Sequence, residues 1–69
     1  MKIEKMNELL NSDYRLRKGV PDARYSGNYT LYKIIEDGFQ VPGTYGRAIE
    51  TFKTIKAASE YADKHGLLK

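Results

Sequence analysis

Sixty-nine residues without a cysteine make one domain near the lower size for a self-sufficient core, and exclude disulfides and thiolate metal sites. Twelve basic against nine acidic residues leave a net charge of +3, permissive for nucleic acid but far below the charge density of a histone-like protein. No run is long and apolar enough to span a bilayer and the amino terminus lacks a signal-peptide core, so a cytoplasmic protein with no membrane partner is expected.

Met1 to Leu10 reads as a short amphipathic helix, with Ile3, Met6 and Leu10 on one side and Leu9 beside them. Such a helix is unstable alone and must dock on the rest of the chain. Asn11-Ser12-Asp13 is its stop, because these side chains compete for backbone hydrogen bonds. Tyr14 to Val20 then alternates, with Tyr14, Leu16 and Val20 on one face and Arg15 and Arg17 on the other. That is a strand with one half-buried and one basic side, with Lys18 near its end. Pro21 to Asn28 is a loop of contact-forming composition, containing Arg24 and Tyr25.

Tyr29 to Glu36 carries the strongest strand signal, rich in tyrosine and isoleucine. Its faces are Tyr29, Leu31, Lys33, Ile35 and Thr30, Tyr32, Ile34, Glu36, and neither is cleanly polar. The pattern suits a central strand covered on both sides: the C-terminal helix on one face, the N-terminal helix or a partner on the other. Asp37-Gly38 is a two-residue turn signal, after which Phe39-Gln40-Val41 reads as a short returning strand. Pro42-Gly43 and Tyr45-Gly46 mark a flexible segment without P-loop spacing.

The organising stretch is Ala48 to Ala62: a strand ending at Phe52, a one-residue hinge, and a helix capped by the Thr54 hydroxyl. Ile55, Ala58 and Ala62 form the inward stripe, and the small alanines allow a close approach to the sheet. A single helix from about Arg47 to His65 is the competing reading, since Ala48, Phe52, Ile55, Ala58 and Ala62 also share a helical face. His65-Gly66 ends the helix, with Gly66 free to turn left-handed, and Leu67 and Leu68 fold back onto the core. The expected fold is α+β: a short helix, a three-stranded antiparallel sheet, and a helix packed on it, in the order αβββα.

No catalytic constellation is visible. His65 is the single histidine, placed at a helix end. Ser12, Ser26 and Ser59 lack a partner base or a nucleophile elbow. No enzyme activity, metal or cofactor is expected.

Phe52-Lys53-Thr54-Ile55-Lys56-Ala57-Ala58-Ser59-Glu60-Tyr61 resembles the strand-to-helix junction of three-stranded-sheet DNA readers. These are the plant ethylene-response type and the arm-binding domains of phage integrases. The likeness covers about Tyr29 to Tyr61, and the families' tryptophan-bearing strand has no counterpart here. It implies DNA contact through the outer sheet face, from Arg15 and Arg17 on the first strand, Lys33 on the second and Arg47 on the third. The element order also resembles the double-stranded-RNA-binding domain, whose paired lysines at the helix start are absent. A short, tyrosine-rich, cysteine-free chain is similar in style to accessory proteins of phages and mobile elements.

Three readings of function follow. In the first, the chain binds nucleic acid, with phosphate contacts from Arg15, Arg17, Lys18 and Arg24 and stacking or groove contacts from Tyr25 and Tyr29. In the second, it is a protein-interaction module of phage type, an inhibitor, adaptor or homodimeric subunit, whose affinity depends on Tyr25, Tyr32 or Tyr45. In the third, it is a small αβ domain whose surface carries no message. The arginines projecting from one strand face select the first.

Overall fold

The structure is a computed structural model that describes residues 1–34 and 46–69. The elements are α1 (Ile3–Leu9), β1 (Tyr14–Lys18), β2 (Tyr29–Ile34), β3 (Gly46–Phe52) and α2 (Ile55–Lys64). The fold is α+β in the expected αβββα order. The strands pair antiparallel in the order β1-β2-β3, so β2 is central. Ile35 and Glu36, the turn expected at Asp37-Gly38, the strand expected at Phe39–Val41, Pro42-Gly43 and Tyr45 lie outside the described residues. Among the described residues no helix is long and apolar enough to cross a membrane.

The competing single helix over residues 47–65 is ruled out by β3. Thr51 and Phe52 favour extended backbone, and the β2 ladder supplies partners that an isolated helix lacks. The chain leaves β3 at Phe52, turns at Lys53, and enters α2 with Thr54 as N-cap. The Thr54 hydroxyl accepts the Ala57 N–H at 3.1 Å, satisfying one orphan donor of the first turn.

Among the described residues six apolar side chains are fully buried: Met6, Leu10, Leu16, Leu31, Ala58 and Ala62. They form one cluster, with Ile3, Tyr29, Phe52, Ile55 and Tyr61 packed around it. Because Met6 and Leu10 meet Ala58 and Ala62 over Leu16 and Leu31, both helices lie on the same side of the sheet. The expectation that α1 or a partner closes the second face is therefore corrected for α1. The reason is size: a chain of 69 residues supports a single core, and α1 adds its Met6–Leu10 stripe to that core rather than starting another.

Two further features fix α1 and the tail. The Asn7 amide is aligned with the outer edge of β1, accepting the Leu16 N–H at 2.7 Å and donating to the Leu16 carbonyl at 3.0 Å. One side chain thus satisfies both backbone groups that an edge strand leaves open. At the other terminus, the Gly66 N–H donates to Asp63 and the Leu67 N–H to Ala62. With Gly66 at φ 69°, this is a Schellman ending that reverses the chain. Leu68 then pairs with Leu10 as an isolated bridge, and Leu67 and Leu68 pack on the core as expected.

Candidate nucleic-acid interface

Residues opposite one another in an antiparallel pair share a face, and successive residues alternate. Arg15 is opposite Tyr32, which is opposite Ala48; Arg17 is opposite Thr30, which is opposite Thr51. These rungs lie on the side away from Leu16 and Leu31, and neither helix covers them. Arg15 and Arg17 are exposed, about 6.8 Å apart along the strand by its rise per residue. Thr30 is fully buried between Arg17 and Thr51, and its hydroxyl donates to the Gly19 carbonyl at 2.6 Å. Among the described residues the strand positions on this face carry no carboxylate. Asp13, the nearest acid in sequence to Arg15, precedes β1.

Tyr32 sits at the middle of this face and is half-buried. A Cβ built on Gly46 would meet the Tyr32 Cβ at 3.2 Å and Cδ1 at 3.6 Å. The Tyr32 side chain therefore lies close over Gly46, where an added Cβ would fit only tightly. The sequence groups Tyr32 with protein-contacting tyrosines and does not join it to the arginines. The period-two alternation of β1 and β2 is the available signal, but the register that aligns Arg15 with Tyr32 is a tertiary fact.

The remaining basic residues do not join this face. Lys33 is opposite both Tyr14 and Arg47, on the side of Leu31, where the helices pack. Arg47 reaches that side because β3 carries a bulge. Leu31 is opposite Glu50 while Tyr32 is opposite Ala48, leaving Ile49 as the extra residue. Simple alternation back from Phe52 would put Arg47 outward; the extra residue reverses the parity. Lys18 is opposite Tyr29, again on the helix side, and Tyr29 is half-buried against the core.

Arg24 is engaged locally. Its Nε and Nη2 donate to the two Asp22 carboxylate oxygens at 3.3 and 3.0 Å, and its amide donates to Asp22 at 2.8 Å. The Arg24 side chain, then its backbone amide, holds the Asp22 carboxyl below its ordinary value. Tyr25 follows in the same loop, 45% exposed and away from the sheet rungs. The ion pairs among the described residues are this one and Lys5–Glu8, so Arg15 and Arg17 have no carboxylate within ion-pair distance there.

Of the eight residues singled out by sequence, the fold thus brings Arg15 and Arg17 together on the face both helices leave open. It sends Lys18, Tyr29, Lys33 and Arg47 to the helix side and leaves Arg24 and Tyr25 in a loop. No cluster of histidine or carboxylate side chains among the described residues is arranged to hold a metal ion. Comparison with protein-family models, curated proteins and solved structures finds no match for this chain.

Proposed function

We propose that the protein binds nucleic acid on the outer sheet face. The observation that carries this reading is the convergence of Arg15, Arg17 and Tyr32 on a face that neither helix covers and whose described strand positions hold no carboxylate. The guanidiniums supply charge-assisted hydrogen bonds to phosphate, which position a nucleic acid without reading its sequence. Tyr32 adds a ring for stacking or groove contact. The resemblance of the Phe52–Tyr61 junction to three-stranded-sheet DNA readers supports the same face. Lys33, Arg47 and Arg24 drop out of the binding surface, which now rests on β1 and the middle of β2.

The test is a titration of the protein with a generic DNA duplex, monitored by amide NMR at low and at physiological salt. Shifts at Arg15–Arg17 and Tyr32 that fade with salt are expected. In Arg15→Ala/Arg17→Ala the slope of log affinity against log salt should fall by about two, near 0.9 for each phosphate no longer neutralised. No shift at low salt, or a slope unchanged in the double variant, overturns the reading. Affinity for a protein partner that ignores salt but falls on replacing Tyr32 would assign the face to protein recognition instead.

A further inference from the structure

At the end of the sheet where β1 stops and α2 begins, we propose a second site: a cleft that binds a small organic phosphate. The cleft has a volume of about 700 Å³, within the ~300–1,000 Å³ usual for small-molecule sites. Lys18 from the end of β1, Lys53 from the hinge and Lys56 from α2 line it together, and among the described residues no carboxylate does. None of the three lysines is in an ion pair among the described residues. The three lysines make this end of the sheet locally positive, which attracts an anion with two or more negative charges. Val20, Tyr29 and Ile55 give the cleft an apolar wall for the organic part of the ligand.

The walls are tied together by a chain of hydrogen bonds crossing all three strands. The Thr30 hydroxyl donates to the Gly19 carbonyl at 2.6 Å, and the Gly19 N–H donates to the Asn28 carbonyl at 2.7 Å. Asn28 in turn donates its backbone N–H to Phe52 at 2.8 Å and its side-chain amide to the Lys53 carbonyl at 3.0 Å. The backbones beside Lys18 and Lys53 are thereby held in fixed relation before any ligand arrives, which lowers the ordering cost of binding. The alternation along β1 places Lys18 on the opposite side from Arg15 and Arg17, so this site does not depend on the outer-face reading.

A phosphate on the end of a nucleic-acid strand has the same chemistry as a free organic phosphate, and the test separates the two. Pyrophosphate, ATP, and a 5′-phosphorylated and a 5′-hydroxyl oligonucleotide are titrated at physiological salt while amide shifts are followed. Pyrophosphate and ATP should give saturable shifts at Gly19, Gly27, Asn28 and residues 53–56. Lys53→Ala/Lys56→Ala should weaken ATP binding at these positions about tenfold or more, while Arg24→Ala, outside both surfaces, leaves it unchanged. The lysines are exposed, so an unchanged thermal melt checks that the double variant keeps its fold. Shifts that fail to saturate by about 10 mM ligand, or that the lysine variant leaves intact, overturn the proposal. So does binding of the 5′-phosphorylated oligonucleotide alone, which would assign the cleft to a strand end.

Discussion

Single residues decide several junctions of this small fold. Gly27 has φ 127°, and a Cβ there would stand 2.9 Å from the Phe52 carbonyl oxygen. Gly27→Ala should therefore destabilise by about 2 kcal/mol or more, combining backbone strain with a push on β3, read by urea denaturation. Asn7→Ala should cost about 1–3 kcal/mol, because the Leu16 N–H and C=O lose their partner at a part-buried edge. Asn7→Asp keeps the acceptor and loses the donor, so it should restore only the Leu16 N–H bond. The Asp22–Arg24 pair makes a prediction in pH. The folded carboxyl sits below its ordinary value of 3.8, so any contribution to stability is full above that value and is lost as pH falls through the lowered folded value. A carbon-detected carboxyl titration should show the Asp22 midpoint below 3.8, moving back toward it in Arg24→Ala. The pair is solvent-exposed, so the thermal melt should hardly respond.

Among the elements, α2 and β3 differ in how openly they are written in the sequence. For α2, the Thr54 cap, the Ile55–Ala58–Ala62 stripe and the Gly66 terminus are all legible locally. Thr54→Ala should cost about 1 kcal/mol, measurable by chemical denaturation. Ala58 and Ala62 are 1% and 0% exposed, so leucine at either position must lift the helix off the sheet, at about 1–3 kcal/mol. In β3 the bulge at Ile49 is not legible, because no residue type announces an unpaired extra position in the middle of a strand. It alone decides that Ala48 rather than Ile49 lies beside Tyr32, and that Arg47 turns to the helix side.

For the whole molecule, the size of the core sets the margins. A chain of 69 residues has about 3.5–10 kcal/mol of stability at ordinary values per residue. Leu31→Ala, at the centre of the six-residue core, should remove about 2–5 kcal/mol of it, enough to show as partial unfolding in a thermal melt. A small core also explains why the helices share one face, and so why neither helix covers the face that carries Arg15 and Arg17. The strand, hinge and Thr54 cap before α2 stood as one of two readings until the β2–β3 ladder decided between them. The sequence by itself determined the inward stripe of α2, its Gly66 terminus, and the opposition of Leu16 to Arg15 and Arg17. These are local matters of propensity and of periods 2 and 3.6, carried by neighbouring residues. Only the tertiary structure decided which basic residues share a surface. Strand register, the bulge in β3, and the docking of α1 beside α2 all depend on partners far apart in the chain. They split the basic set read from the sequence into Arg15 and Arg17 on the face away from the helices, Lys18, Lys33 and Arg47 on the helix side, and Arg24 in a loop.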